Sequence, residues 1–163
     1  MNPTAGPNLR IQEPGAILEI RSFRPFRREA DTIKKDLDLA IEAILDKKAL
    51  DLVVLDLRGI STFTDFFVIA SGTSIRQTQA IADAVEERLR AEKVRGSVEG
   101  YREGEWILLD YGDFLIHVFT QNKRDFFDLE RLWGDAPRIA VEGGAEPLPR
   151  RRRRAAASPA NED

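Results

Sequence analysis

The chain has 163 residues, 42% hydrophobic and 33% charged, with a formal net charge of −3 and no cysteine. That is one domain's worth of chain with room for one core, and it supplies no thiol for a disulfide, an iron–sulfur cluster or a zinc–thiolate site. No apolar run approaches the roughly 20 residues that span a bilayer, and "PGAILEI", interrupted by Glu19, is too short for a secretory core of about 7–15 apolar residues.

Charge is unevenly spread. Residues 1–28 carry five Arg against Glu13 and Glu19, residues 140–163 carry five Arg against four acids, and 29–139 hold 15 Lys/Arg against 22 Asp/Glu. An acidic centre between basic ends reads nucleic acid poorly and suits a basic protein partner; the same acidity also serves solubility alone, and composition does not choose between them.

Residues 1–28, with Pro3, Pro7, Pro14 and Pro25 and no sustained periodicity, read as an irregular basic arm. From there Ile33, Leu37, Ala40, Ile41, Ile44 and Leu45 recur at helical spacing, with Asp31 as candidate cap, and predict a helix to about Lys48. "LDLVVLDL" (50–57) and "DFFVIAS" (65–71) predict two buried strands. Ser74 and Gln77 have capping-box spacing, and Ile75, Thr78, Ile81, Ala82, Val85 and Leu89 line one face of the helix that follows. A short strand near Val98–Tyr101 leads to "EWILLDYGDFLIHVF", and "DFFDLERLW" (125–133) adds a last amphipathic turn or two, stopped by Pro137. Residues 140–163, with the Arg150–Arg154 run, read as a solvated tail that could touch RNA phosphates. The element order predicts an α/β or α+β domain over 29–139: a mixed five-stranded sheet covered by helices, with the second helix a crossover that makes the second and third strands parallel.

Gly112-Asp113 between two strand-like runs is a two-residue hairpin turn. Its register pairs Tyr111 with Phe114, Leu109 with Ile116 and Ile107 with Val118 on one face. On the other it pairs Asp110 with Leu115, Leu108 with His117 and Trp106 with Phe119. Both faces are largely apolar, so both need cover: helices for one, more of this chain or a partner for the other. The chain's single histidine, His117, lies diagonal to Asp110, about 7–8 Å away. Asp113 occupies the turn, where Asp is favoured for backbone reasons. With no second His, no Cys and no serine in the hairpin, neither a metal centre nor a hydrolytic triad assembles from these residues. His117 is expected to be a hydrogen-bonded imidazole inside the sheet.

"ASGTSIR" (70–76) puts Gly72 and Thr73 before a helix start, whose backbone donors suit phosphate. A nucleotidyltransferase would follow that loop with two carboxylates on a strand to hold metal ions. The next strand here offers only Glu99, so capping is the favoured role, with no catalytic residue, cofactor or metal.

"STFTDFFVIASGTSIRQTQAIADAV", "WILLDYGDFLIHVF" and "RDFFDLERLWGDA" together resemble, in order and spacing, the ribosomal silencing factor (iojap-related) family, from about Leu39 to Ala136. The resemblance implies a nucleotidyltransferase-like sheet without known catalysis, and binding to the large ribosomal subunit through its protein fourteen. The bound factor blocks joining of the subunits and lowers translation when nutrients are scarce. Carried onto this chain, the family pattern marks Trp106, Asp110, Gly112, Asp113, Arg124 and Trp133 as partner-facing; Phe127 stands where the family usually has Tyr. It leaves room for a homodimer off the ribosome and points to the bacterial cytoplasm ahead of an organelle; the arm and the tail lie outside the resemblance, and rRNA contact by Arg150–Arg154 is read from its charge alone. Two other readings stay beside this one: a nucleotide-binding or nucleotidyl-transferring enzyme using Gly72–Ser74, and an RNA-binding adaptor led by the arginine run.

Overall fold

Ile33, Leu37, Ala40, Ile41 and Ile44 recur every three or four residues, and the helix they form, α1 (Ala30–Asp46), buries that stripe. This computed structural model describes residues 29–141. The predicted arm (1–28) and all of the predicted tail beyond Val141, including Arg150–Arg154, lie outside the described residues. Glu29, not Asp31, takes the cap position of α1 and makes no side-chain cap bond; Asp31 sits in the first turn, where a carboxylate faces the positive end of the helix dipole.

Lys48, at φ 57°, turns the chain into β1 (Leu50–Asp56). β2 (Phe66–Gly72) follows, buried along its whole length. Ser74 then caps α2 (Ile75–Ala91), its Oγ accepting from the Gln77 backbone N–H at 3.1 Å. The expected reciprocal bond is replaced: Gln77 Oε1 accepts from the Thr73 N–H at 2.6 Å, and its Nε2 donates to the Lys47 and Lys48 carbonyls at 3.2 Å. One amide thus ties the start of α2 to the end of α1. Ile75, expected on the buried face, is exposed at the first position of α2.

The remaining elements are β3 (Ser97–Glu99), β4 (Trp106–Asp110), β5 (Phe114–Thr120), α3 (Gln121–Phe127), α4 (Leu129–Leu132) and β6 (Arg138–Ile139). The strands form one mixed sheet in the order β3-β4-β5-β2-β1-β6, six strands rather than the predicted five. The additional one is β6, which pairs antiparallel with β1 after Pro137. The crossover also lands elsewhere than predicted. β3 runs in the direction of β2 but at the far edge, with β4 and β5 between them, and the parallel neighbour of β2 is β5.

Side chains alternate across this sheet. Val54, Phe66, Val68, Ala70, Ile107, Leu109, Ile116 and Val118 pack with the apolar stripes of α1 and α2. Val53, Leu55, Phe67, Ile69, Leu115 and Phe119 form a smaller cluster on the opposite face, met among the described residues by the segment that carries α3 and α4 and by Phe63 of the loop before β2. Two long helices cover one face and two short ones part of the other. Among the described residues no helix is long and apolar enough to cross a membrane.

Candidate functional site

The β4–β5 hairpin has the predicted register at every pair from Trp106–Phe119 to Asp110–Leu115. Its turn closes through the Tyr111 N–H on the Phe114 carbonyl at 3.1 Å, with Gly112 at φ 81°, a conformation that penalises a Cβ. The exposed Asp110 accepts the Gly112 N–H at 2.8 Å. Asp113 is buried, and its carbonyl accepts the Asp65 and Phe66 N–H groups at 2.9 and 3.2 Å, pinning the tip to the start of β2. Of the three tip residues marked as partner-facing, Asp110 and Gly112 are exposed and Asp113 is not.

Trp106 lies at the other end of β4, about four strand steps or 14 Å from Asp110. It is half-buried, stacked on Phe119 at 5.2 Å between ring centroids and packed on Phe127 at 4.5 Å. Its indole Nε1–H donates to His117 Nδ1 at 3.1 Å. The imidazole in turn meets the edge of Phe67 at 4.6 Å, and Phe67 meets Trp133 at 5.5 Å. Phe63 adjoins both Phe67 and Trp133, at 6.0 and 6.1 Å. A continuous row of rings therefore crosses the less covered sheet face, joining Trp133 to Trp106 through Phe67 and His117. Its ends are open: Phe63 is 54% exposed, Phe126 76%, and Leu132, which lines a surface hollow with Phe126, 73%.

His117 is the buried imidazole that the sequence predicts. Burial pulls its pKa from 6.5 down to about 4, so it is neutral at pH 7. Because Nδ1 accepts from the indole, the proton sits on Nε2, which is buried without a protein partner. Neither ring nitrogen meets a carboxylate, and Asp110 is bonded instead to its own turn. Among the described residues no group of three or more His, Asp or Glu side chains is placed to hold a metal ion. In the loop before α2, the Thr73 N–H and hydroxyl are both taken by Gln77 Oε1.

Arg124 lies beneath the face, only 6% exposed. Its guanidinium donates to Ser71 Oγ and Glu130 Oε1, each at 2.8 Å, and so fastens α3 to the end of β2 and to α4. Asp128, left-handed at φ 47°, breaks the predicted single closing helix into these two. That break and the Arg124 clamp set where Phe126, Phe127, Leu132 and Trp133 stand. Phe63, Phe126 and Leu132 are not among the residues expected from the sequence. A signal existed for one of them: two adjacent phenylalanines on a helix point about 100° apart, so they cannot both face one sheet.

The family model described as "Ribosomal silencing factor during starvation" matches residues 30–163. A ribosomal silencing factor of Halalkalibacterium halodurans is 43% identical over 108 residues, 66% of this chain and 92% of the relative. A crystal structure of a Chromobacterium violaceum protein superposes with a TM-score of 0.61 at 38% identity, covering 71% of this chain and 97% of that one. A more distant mouse relative, "Mitochondrial assembly of ribosomal large subunit protein 1", is 30% identical over 104 residues, 61% of this chain and 46% of that protein. With its mixed sheet, its hairpin and its aromatic face, this chain belongs to the ribosomal silencing factor family.

Proposed function

We propose that this chain binds the large ribosomal subunit at its protein fourteen and, by filling that place, keeps the small subunit from joining. Translation is thereby repressed when nutrients are limiting, in the bacterial cytoplasm. The observation that carries the reading is the open aromatic face: Phe126, Phe127 and Leu132 are presented on a clamped segment beside Trp106, although the fold does not need them buried. An aromatic centre rimmed by charge is the anatomy of a protein interface. The 22 acids of residues 29–139 suit a basic ribosomal protein. The mouse relative is named for assembly of a ribosomal large subunit, that of the mitochondrion.

Occlusion is steric and needs no reaction. The chain acts without catalysis in this reading, which the bonding of His117 to an indole and of Asp110 to its own turn supports. Sedimentation of cell extract tests it: the protein should travel with free large subunits and not with joined ribosomes. Purified protein that transfers a nucleotide, and loses that turnover in Asp110→Asn or His117→Ala, would overturn it.

A further inference from the structure

The structure leaves His117 without an explanation from stability. A buried imidazole whose Nε2 finds no partner among the described residues carries a desolvation cost that an apolar ring beside Phe67 and Phe119 would not. What the imidazole has and a phenyl ring lacks is an in-plane acceptor at Nδ1, and the Trp106 indole N–H occupies it at 3.1 Å. The indole is at the same time stacked on Phe119, 25° from parallel, and packed on Phe127.

We infer that His117 is a positioning residue for the proposed ribosome-binding face: it holds Trp106 in one pose and takes up its only polar atom. The inference rests on that proposed function and deepens it. With the indole N–H committed inward, and with a plain phenyl ring at Phe127, these two residues offer a partner no side-chain hydrogen-bond donor. The group that seats against them must be aliphatic or aromatic, and charge complementarity has to come from elsewhere on the domain. A partner that offered a carbonyl or carboxylate to this spot would have to break the indole–imidazole bond first.

The full chain labelled with nitrogen-15 gives two indole signals, one for each tryptophan, and Trp133→Phe assigns them. In wild type the Trp106 signal should show scalar coupling across the hydrogen bond to His117 Nδ1, and slow exchange with solvent. His117→Phe keeps the ring and removes the acceptor; His117→Asn keeps an acceptor near the Nδ1 position. Folded His117→Phe should bind purified large subunits roughly tenfold more weakly, the factor that one hydrogen bond's net contribution corresponds to, and His117→Asn should recover most of the loss. Wild-type binding by folded His117→Phe overturns the inference, as does equal loss in both variants or no coupling in wild type. Should His117→Phe not fold, His117→Asn and the wild-type coupling decide. Wild-type protein that fails to bind large subunits overturns the proposed function instead, and the pose of the indole is then judged on the coupling alone.

Discussion

Replacing His117 by phenylalanine and following unfolding against pH isolates the contribution of one titrating group. In the native chain burial holds the imidazole pKa at about 4, against 6.5 for the exposed side chain. Between those values the unfolded chain binds the proton and the folded chain refuses it, so stability falls as pH falls. The whole difference corresponds to about 3 kcal/mol, most of which (about 2.5 kcal/mol) is lost between about pH 7.5 and about pH 4.5. Protonation also converts Nδ1 from acceptor to donor, so the Trp106 bond is lost in the same step. Carboxylates titrate at the lower end of this window, but they are common to both proteins and cancel in the comparison. Urea unfolding followed by circular dichroism at a series of pH values should show wild type losing about 2–3 kcal/mol more than His117→Phe across the window. Parallel curves for the two proteins would refute the buried, neutral imidazole and the reasoning built on it.

Trp106→Ala should stay folded, because the indole is only half-buried, and bind large subunits about thirtyfold more weakly, the effect of losing an anchor worth about 2 kcal/mol. Phe126→Ser should leave the melting temperature almost unchanged at 76% exposure, yet weaken subunit binding in a sedimentation assay. Arg124→Met should cost about 3 kcal/mol in urea unfolding, since it leaves Glu130 without its buried partner. Gly112→Ala should cost about 1 kcal/mol from its positive φ alone, as no atom lies within 4 Å of the added Cβ.

The hairpin was legible because a two-residue turn fixes every pair behind it, and Gly112-Asp113 is local information. The parallel partner of β2 was not. That pairing joins residues 66–72 to 114–120, and nothing in either stretch names the other. β6 escaped because two residues after a proline carry no period to detect. At the site, the sequence placed Trp106 on the right face and His117 inside the sheet, both consequences of strand alternation. It had no means of telling Arg124 the clamp from a surface arginine. That distinction depends on Ser71 and Glu130 arriving beside it, and Ser71 lies 53 residues away. The Asp128 break was hidden because a non-glycine residue at positive φ is a tertiary choice and not a propensity.

The two shortest strands of the sheet are its two outer ones, three residues in β3 and two in β6, against five to seven for those inside. An open edge is where another chain can add itself through backbone hydrogen bonds, whatever its side chains; β3 and β6 offer two or three residues each, and β6 pairs with only Val54 and Leu55 of the seven-residue β1. Contact with the aromatic face, by contrast, is made side chain to side chain. Recognition of that kind is adjustable one substitution at a time: Phe127→Tyr would add a hydroxyl to the face without touching the ladder that holds the domain together.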